Sequence, residues 1–217
     1  MNFKKRPPAI LRTVLFFLGG KMFSLKDKLT FININQDYLK YLHEECPEVY
    51  YKPICYDNKP YLGILINNEG QEYVIPISSA KKKHESWKNI DSDRFLIYEK
   101  YDRMPDSPEA VCKRLPDGTI EHLLSVIDLK KMIPVKDGLY ARVNLIHSDT
   151  DSDEVRNYKN LMNKEFAFCL KLLPLLIKKA NKIYEKQMST GKIVKYCCHF
   201  LLRKEPRTSL LLRVPGR

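Results

Sequence analysis

Two apolar, β-branched runs, YLGILI at Tyr61 to Ile66 and EYVIPI at Glu72 to Ile77, flank the tetrapeptide NNEG at Asn67 to Gly70. Strand-forming runs joined by Asn/Gly turn chemistry specify an antiparallel β-hairpin. A hairpin brings the residues before its first strand and those after its second to the same end. Here these are Lys59 on one side and Ser78, Ser79, Lys81, Lys82, Lys83 and His84 on the other. Two hydroxyls and a group of cations are therefore expected at one point. Taken alone, the serines also read as a strand terminus and the lysines as a solvated run.

The balance of charge narrows the partner. With 38 Lys and Arg against 26 Asp and Glu, the 217-residue chain carries a formal charge of +12. Such a surface favours polyanions, because neutralising phosphates releases their counterions. Nucleic acid is the first expectation and an anionic membrane the second. The six cysteines, at 46, 55, 112, 169, 197 and 198, form neither a C-x-x-C pair nor zinc-finger spacing with histidine. Reduced thiols in a cytoplasmic protein without metal or other cofactor are the expectation.

At the N-terminus, residues 1–21 combine KKR with the short apolar run AILRTVLFFLGG. Arg12 interrupts this run, no small-x-small cleavage site follows, and it falls short of the ~20 apolar residues of a spanning helix. Gly19-Gly20-Lys21-Met22 is also what a purine-rich ribosome-binding sequence ahead of a start codon would encode. Residues 1–21 are thus expected to be a non-native or dispensable extension, with Met22 the initiator. A membrane-associated protein anchored by this segment is a competing reading, disfavoured because one interrupted apolar run binds lipid weakly.

The remaining pattern is mixed. Lys28 to Asn35 reads as a strand, Asn35 as a cap, and Gln36 to Cys46 as a helix ended by Pro47. A loop bearing Tyr50, Tyr51 and Tyr56 precedes the hairpin. Trp87 to Asp93 reads as helical or irregular, Arg94 to Glu99 as a strand, and Met104 to Pro116, with three prolines, as a loop. Thr119 to Ile127 leads into LKKMIPV at Leu129 to Val135. Apolar residues at helical spacing predict one helix over Glu154 to Leu173 and a second from about Pro174 to Met188, stopped by Gly191. The polar side of the second bears Lys178, Lys179, Lys182 and Lys186, with Lys192 beyond it. That face is either solvated or directed at RNA. Lys195 to Leu202 reads as a strand, and residues 205–217 as a basic tail to which no role is assigned. The fold class read from the residues is α+β, mostly antiparallel, with helices concentrated near the C-terminus.

The order PYLGIL, S-S-x-K-x-K-H, LKKMIPV and G-K-x-x-x-Y-C-C-x-F-x-L-L, preceded by FININQDYLKYL, resembles the ToxN/AbiQ family of bacterial type III toxin-antitoxin toxins. The resemblance spans about Phe31 to Lys204, which places a single endoribonuclease-like domain at 22–204. It implies a strongly curved antiparallel sheet with a Kid/MazF-like barrel core. It also implies a metal-independent, sequence-specific endoribonuclease of abortive phage infection, with cellular or phage RNA as substrate. Neutralisation by a repeated structured antitoxin RNA, in a closed ring of toxins and RNA units, is the implied control. The family's hydroxyl-lysine element falls on Ser78, Ser79 and Lys81, and its strand-proximal lysine on Lys59. Its loop tyrosine has Tyr56 as nearest match, with Tyr51 the rival. Ala80 stands where the family often has proline. Lys82, Lys83 and His84 extend the motif as RNA contacts, and His84 reads equally as a phosphate contact or a structural cap. The lysines from Lys178 to Lys192 would bind the antitoxin RNA. A noncatalytic RNA-binding protein on the same scaffold remains the alternative.

Overall fold

The computed structural model describes residues 23–51, 60–67 and 69–200. Lys59, Tyr56, Cys55, residues 1–21 and the 205–217 tail lie outside them. The described chain builds one nine-stranded antiparallel sheet and two α-helices. In chain order the elements are β1 (Phe23–Leu25), β2 (Phe31–Ile34), α1 (Gln36–Glu45), β3 (Tyr61–Asn67), β4 (Glu72–Ser79), β5 (Arg94–Tyr101), β6 (Val111–Arg114), β7 (Ile120–Asp128), β8 (Ile133–Val135), β9 (Tyr140–Arg142) and α2 (Asp153–Thr190). Short 3₁₀ turns cover Lys82–Ser86 and Leu129–Lys131.

The expected hairpin forms between β3 and β4, with Tyr61 opposite Pro76 and Leu65 opposite Tyr73. Its register shifts between Leu62 and Leu65. Gly63 sits there at φ +68°, and a Cβ on it would come within 3.3 Å of the Leu29 side chain. A residue without Cβ meets both demands, the left-handed backbone and the close approach.

On its other edge β4 divides its length between two partners. Glu72 to Val74 pair with β8, and Ile77 to Ser79 pair with β7. The sheet path runs β5-β7-β4-β3-β2-β9, so β4 is the strand through which its two halves connect. The sheet's buried side chains form the main core, including Phe31, Ile32, Leu62, Tyr73, Ile75, Phe95 and Ile97, and residues of α2 join the same cluster. The buried residues of α2 are Met162, Glu165, Cys169, Leu176, Ala180, Tyr184 and Gln187, which follow helical spacing.

Local chemistry explains most boundaries. Asn35 caps α1, its Oδ1 accepting from the Tyr38 backbone N–H at 3.0 Å, as expected from the sequence. Ser152 caps α2 and Gly191, at φ +61°, terminates it. The expected break at Pro174 is not present, because α2 is one 38-residue helix with Pro174 inside it. Leu172, Leu173, Leu175 and Leu176 pack into the core on either side of an exposed Pro174. Their burial outweighs the one backbone hydrogen bond that proline cannot make.

Two other expectations change. The proline-rich stretch Met104 to Pro116 contains β6, which pairs with β7 along Val111 to Arg114. The described part of the expected closing strand, residues 195–200, is not a strand. Its backbone is satisfied by other elements instead: Cys198 N–H donates to the Lys130 carbonyl at 2.8 Å and Phe200 N–H to Gln187 Oε1 at 2.8 Å. Gln187 Nε2 returns a bond to the Cys198 carbonyl at 3.2 Å. Cys46, Cys112, Cys169, Cys197 and Cys198 are free thiols.

Candidate active site

The end of β4 opens into a cavity of about 520 Å³. Ser78, Ser79, Lys81, Lys83 and His84 all line it, and Tyr61, the first residue of β3, lines it from the adjacent strand. The chain thus enters β3 and leaves β4 at the same cavity, as hairpin geometry requires. Ser78 is exposed and Ser79 half-buried. Backbone pairing of Ser78 with Val126 and Ser79 with Ser125 holds both in place, and Ala80 N–H continues the ladder to the Leu124 carbonyl at 3.1 Å.

Immediately after the strand, the 3₁₀ turn folds back on Lys81. The Lys81 backbone N–H donates to His84 Nδ1 at 2.9 Å, and His84 N–H donates to the Lys81 carbonyl at 2.7 Å. This pair of bonds makes His84 a cap and leaves the proton of its neutral ring on Nε2. Burial, then the charges of Lys83, Lys81 and Arg94, pushes its pKa below the ordinary 6.5. The ring packs on Trp87 at 4.4 Å, and the Arg94 guanidinium covers that indole at 4.0 Å.

A string of charges anchors this turn to the sheet. Asp93, nearly fully buried, meets Lys130 Nζ at 2.5 Å and Arg94 Nε at 3.4 Å. Burial alone would raise the Asp93 carboxyl, but the Lys130 hydrogen bond and the two cations hold it below the usual carboxylate range. On the other side Lys113 donates to the Trp87 carbonyl and, at 2.7 Å, to Asn89 Oδ1, while Asn89 Nδ2 donates to buried Glu121 at 2.8 Å.

Because His84 is depressed, the unfolded chain binds more protons than the folded one below pH ~6.5, so stability falls as pH drops from there. His122, also lowered by burial, acts in the same direction. The melting temperature is therefore expected to decline from pH 7 to pH 5. His84→Gln should remove part of that slope. An unchanged slope in the variant would mean that the imidazole is not held neutral.

The rest of the lining comes from two other parts of the chain, in which the sequence had singled out Tyr51 alone as a candidate site residue. His43, Pro47, Glu48, Val49, Tyr50 and Tyr51 contribute one side; Asp128 and Lys131 contribute another. His43 Nδ1 lies 2.6 Å from the Val49 carbonyl, and the Glu48 carboxylate pairs with the Lys131 ammonium. Burial pushes the Asp128 carboxyl up, moderated by the Lys130 N–H it accepts at 3.0 Å. Tyr51, one of the two rival tyrosines, borders the cavity, and Tyr56 lies outside the described residues. Lys131 had a sequence signal, its place in LKKMIPV, but its side-chain direction did not.

The other expected RNA contacts lie apart. Lys82 is exposed and is not among the cavity's lining residues. Lys178, Lys182, Lys186 and Lys192 are exposed on α2 and just past its end. Lys179 differs: its ammonium donates to the Asp91 carbonyl at 2.5 Å and lies 5.7 Å from the Phe95 ring. Among the described residues, no three His, Cys, Asp or Glu side chains come together as a metal-binding group. No described helix is long and apolar enough to cross a membrane.

Fold and cavity together define a basic α+β protein with one antiparallel sheet, where serines and lysines at the end of β4 line a shared recess. The profile of the family described as toxin ToxN of type III toxin-antitoxin systems matches residues 30–206, and the chain belongs to that family. The endoribonuclease ToxN of Pectobacterium atrosepticum is 27% identical over 142 residues, covering 64% of this chain and 70% of that protein. Endoribonuclease AbiQ of Lactococcus lactis subsp. lactis is 24% identical over 188 residues, covering 85% and 90%. A solved type III toxin inhibited by a non-coding RNA pseudoknot superposes with a TM-score of 0.59 at 22% identity, covering 80% of this chain and 92% of that one. That likeness speaks for the fold.

Proposed function

We propose that the cavity at the end of β4 is the active site of an endoribonuclease toxin that works without a metal ion. The observation that carries this reading is the convergence of Ser78, Ser79, Lys81 and His84 on one recess. RNA supplies its own nucleophile. Its 2′-hydroxyl attacks the adjacent phosphorus in line, the P–O5′ bond breaks, and a 2′,3′-cyclic phosphate and a free 5′-hydroxyl result. Such a reaction asks the protein to align the strand, move protons and stabilise charge on the phosphoryl oxygens.

The roles follow from the chemistry of each group. Serine hydroxyls donate to phosphoryl oxygens, the Lys81 ammonium offsets their charge, and the neutral His84 ring, which lines the same recess, offers its Nε2–H as a hydrogen-bond donor to phosphate. Lys59 and a loop tyrosine, Tyr56 or Tyr51, complete the proposed set. Support for Lys59 comes from the chain itself, since Tyr61 two residues later lines the cavity. Cleavage is expected to persist in EDTA, to leave a 2′,3′-cyclic phosphate end, and to stop where the attacking sugar is 2′-deoxy. Cutting at the deoxy position would rule the mechanism out.

Control by RNA belongs to the same proposal. The solved relatives include a toxin inhibited by an RNA pseudoknot and an antiviral system regulated by a processed non-coding RNA. For this chain, a repeated antitoxin RNA would lie on the basic surface, in a ring of alternating toxin and RNA, with cellular or phage RNA as substrate in the cytoplasm. Exposed Lys178, Lys182 and Lys186 on α2 would contact it, and Lys179 would act chiefly by holding the 91 loop. Replacing Lys178 and Lys182 with glutamine should flatten the salt dependence of RNA binding by about 0.7 per lost contact. An unchanged slope would make this a merely solvated face.

The domain reading is also proposed: one catalytic unit over 22–204 and a dispensable 1–21, testable by expression from Met22. The finer architecture, a strongly curved Kid/MazF-like barrel core, draws support from the division of β4 between β8 and β7.

A further inference from the structure

Lys131 is fixed at its base and directed into the cavity. The 3₁₀ turn that carries it is held by Cys198 N–H on the Lys130 carbonyl, by Leu129 N–H on the Asp93 carbonyl at 2.9 Å, and by the Lys130 ammonium on Asp93. Lys130 is thereby committed to structure, whereas Lys131 lines the cavity and pairs with Glu48, which lines it too.

Sheet register places this cation relative to the serines. Ile77 pairs with Ile127 and Ser79 with Ser125, so β7 runs past β4 in the opposite direction and the Lys131 turn follows at the level of mid-β4. β8 then pairs with Glu72 to Val74. Lys81 and Lys83 lie beyond the other end of the serine pair. Along the strand, Ser78 and Ser79 are bracketed by cations.

We propose that Lys131 binds the backbone phosphate next to the one at the serines, and that Glu48 is an internal substitute anion that the RNA displaces. The inference rests on the cavity being the RNA site. A carboxylate and a phosphodiester each bring one negative charge, and the two compete for the same ammonium. Glu48 suits this role because it is partly solvated, with a side chain 39% exposed against 26% for Lys131. Ion pairs so exposed stabilise little and are readily exchanged. Glu48 keeps Lys131 oriented in the empty protein and filters out weaker anions.

A double-mutant cycle on RNA binding tests it, with a mixed-sequence 2′-O-methyl octaribonucleotide that cannot be cleaved by 2′-hydroxyl attack. K131M should weaken binding by about three- to tenfold and reduce the slope of log affinity against log salt by about 0.7. E48Q should tighten binding by about two- to fivefold in the wild-type background. In the K131M background E48Q should have no effect, because there is no cation to release. Equal tightening in both backgrounds would show only general repulsion by Glu48 and overturn the proposal, as would wild-type affinity and slope in K131M. Cleavage of ordinary RNA by the wild-type protein is scored separately, so failure of the catalytic reading leaves the binding cycle interpretable.

Discussion

Ser79→Ala should lower the rate of RNA cleavage by about 10²- to 10³-fold and leave a folded protein that still binds RNA. The size of the loss follows from the task. A donor aimed at charge that develops only in the transition state contributes more there than in the bound ground state, so its removal falls on the chemical step. Folding should survive because Ser79 is half-buried at a strand end and its pairing with Ser125 uses backbone groups. Lys81→Ala should resemble it in rate and also weaken RNA binding, since an ammonium attracts phosphate in every state along the reaction. His84→Gln offers a contrast: glutamine can accept the Lys81 N–H and still donate a hydrogen bond from its amide, so the turn and most of the cleavage rate should be kept. Cleavage at the wild-type rate by both the Ser79 and Lys81 variants would place catalysis on other residues, whereas RNA binding without cleavage by the wild-type protein would leave the noncatalytic RNA-binding alternative.

The meeting of Ser78, Ser79, Lys81 and His84 at one cavity was legible because it is local in sequence. Strand, turn and strand lie within 61–79, and the motif residues follow without interruption, so β-branched runs and NNEG were sufficient. Asn35 and its helix were legible for the same reason, a cap followed by apolar residues at helical spacing. The rest of the lining was not, since His43 and Glu48 come from one segment and Asp128 and Lys131 from another, and their meeting depends on sheet register. Nothing local to Lys130 and Lys131 says that the first is tied to Asp93 and the second faces the cavity. Pro174 misled because its local cost is real but smaller than the burial of the leucines around it. Gly191 was a reliable stop, its left-handed backbone being a local property. Residues 195–200 read as a strand from their composition, but their hydrogen bonds go to Lys130 and Gln187.

Tyr73→Ala should destabilise the protein by about 3–5 kcal/mol, the range for deleting a large aromatic from a packed core. Tyr73 is the second residue of β4 and is 1% exposed. Its ring meets Phe23 at 5.3 Å, Tyr184 at 5.7 Å and Phe200 at 6.3 Å, all edge-on, so one side chain joins β1, α2 and the C-terminal segment to the strand that carries Ser78 and Ser79. Its hydroxyl donates to the Phe200 carbonyl at 2.9 Å. Tyr73→Phe isolates that bond and should cost about 1 kcal/mol, with the ring contacts kept. Native stabilities are commonly only 5–15 kcal/mol, so the alanine variant should unfold at a far lower urea concentration. The urea midpoints should rank wild type, phenylalanine, alanine, with a common m-value. Equal midpoints for the two variants would place the energy in the hydroxyl rather than the ring. An alanine variant as stable as wild type would mean that Tyr73 does not join these elements.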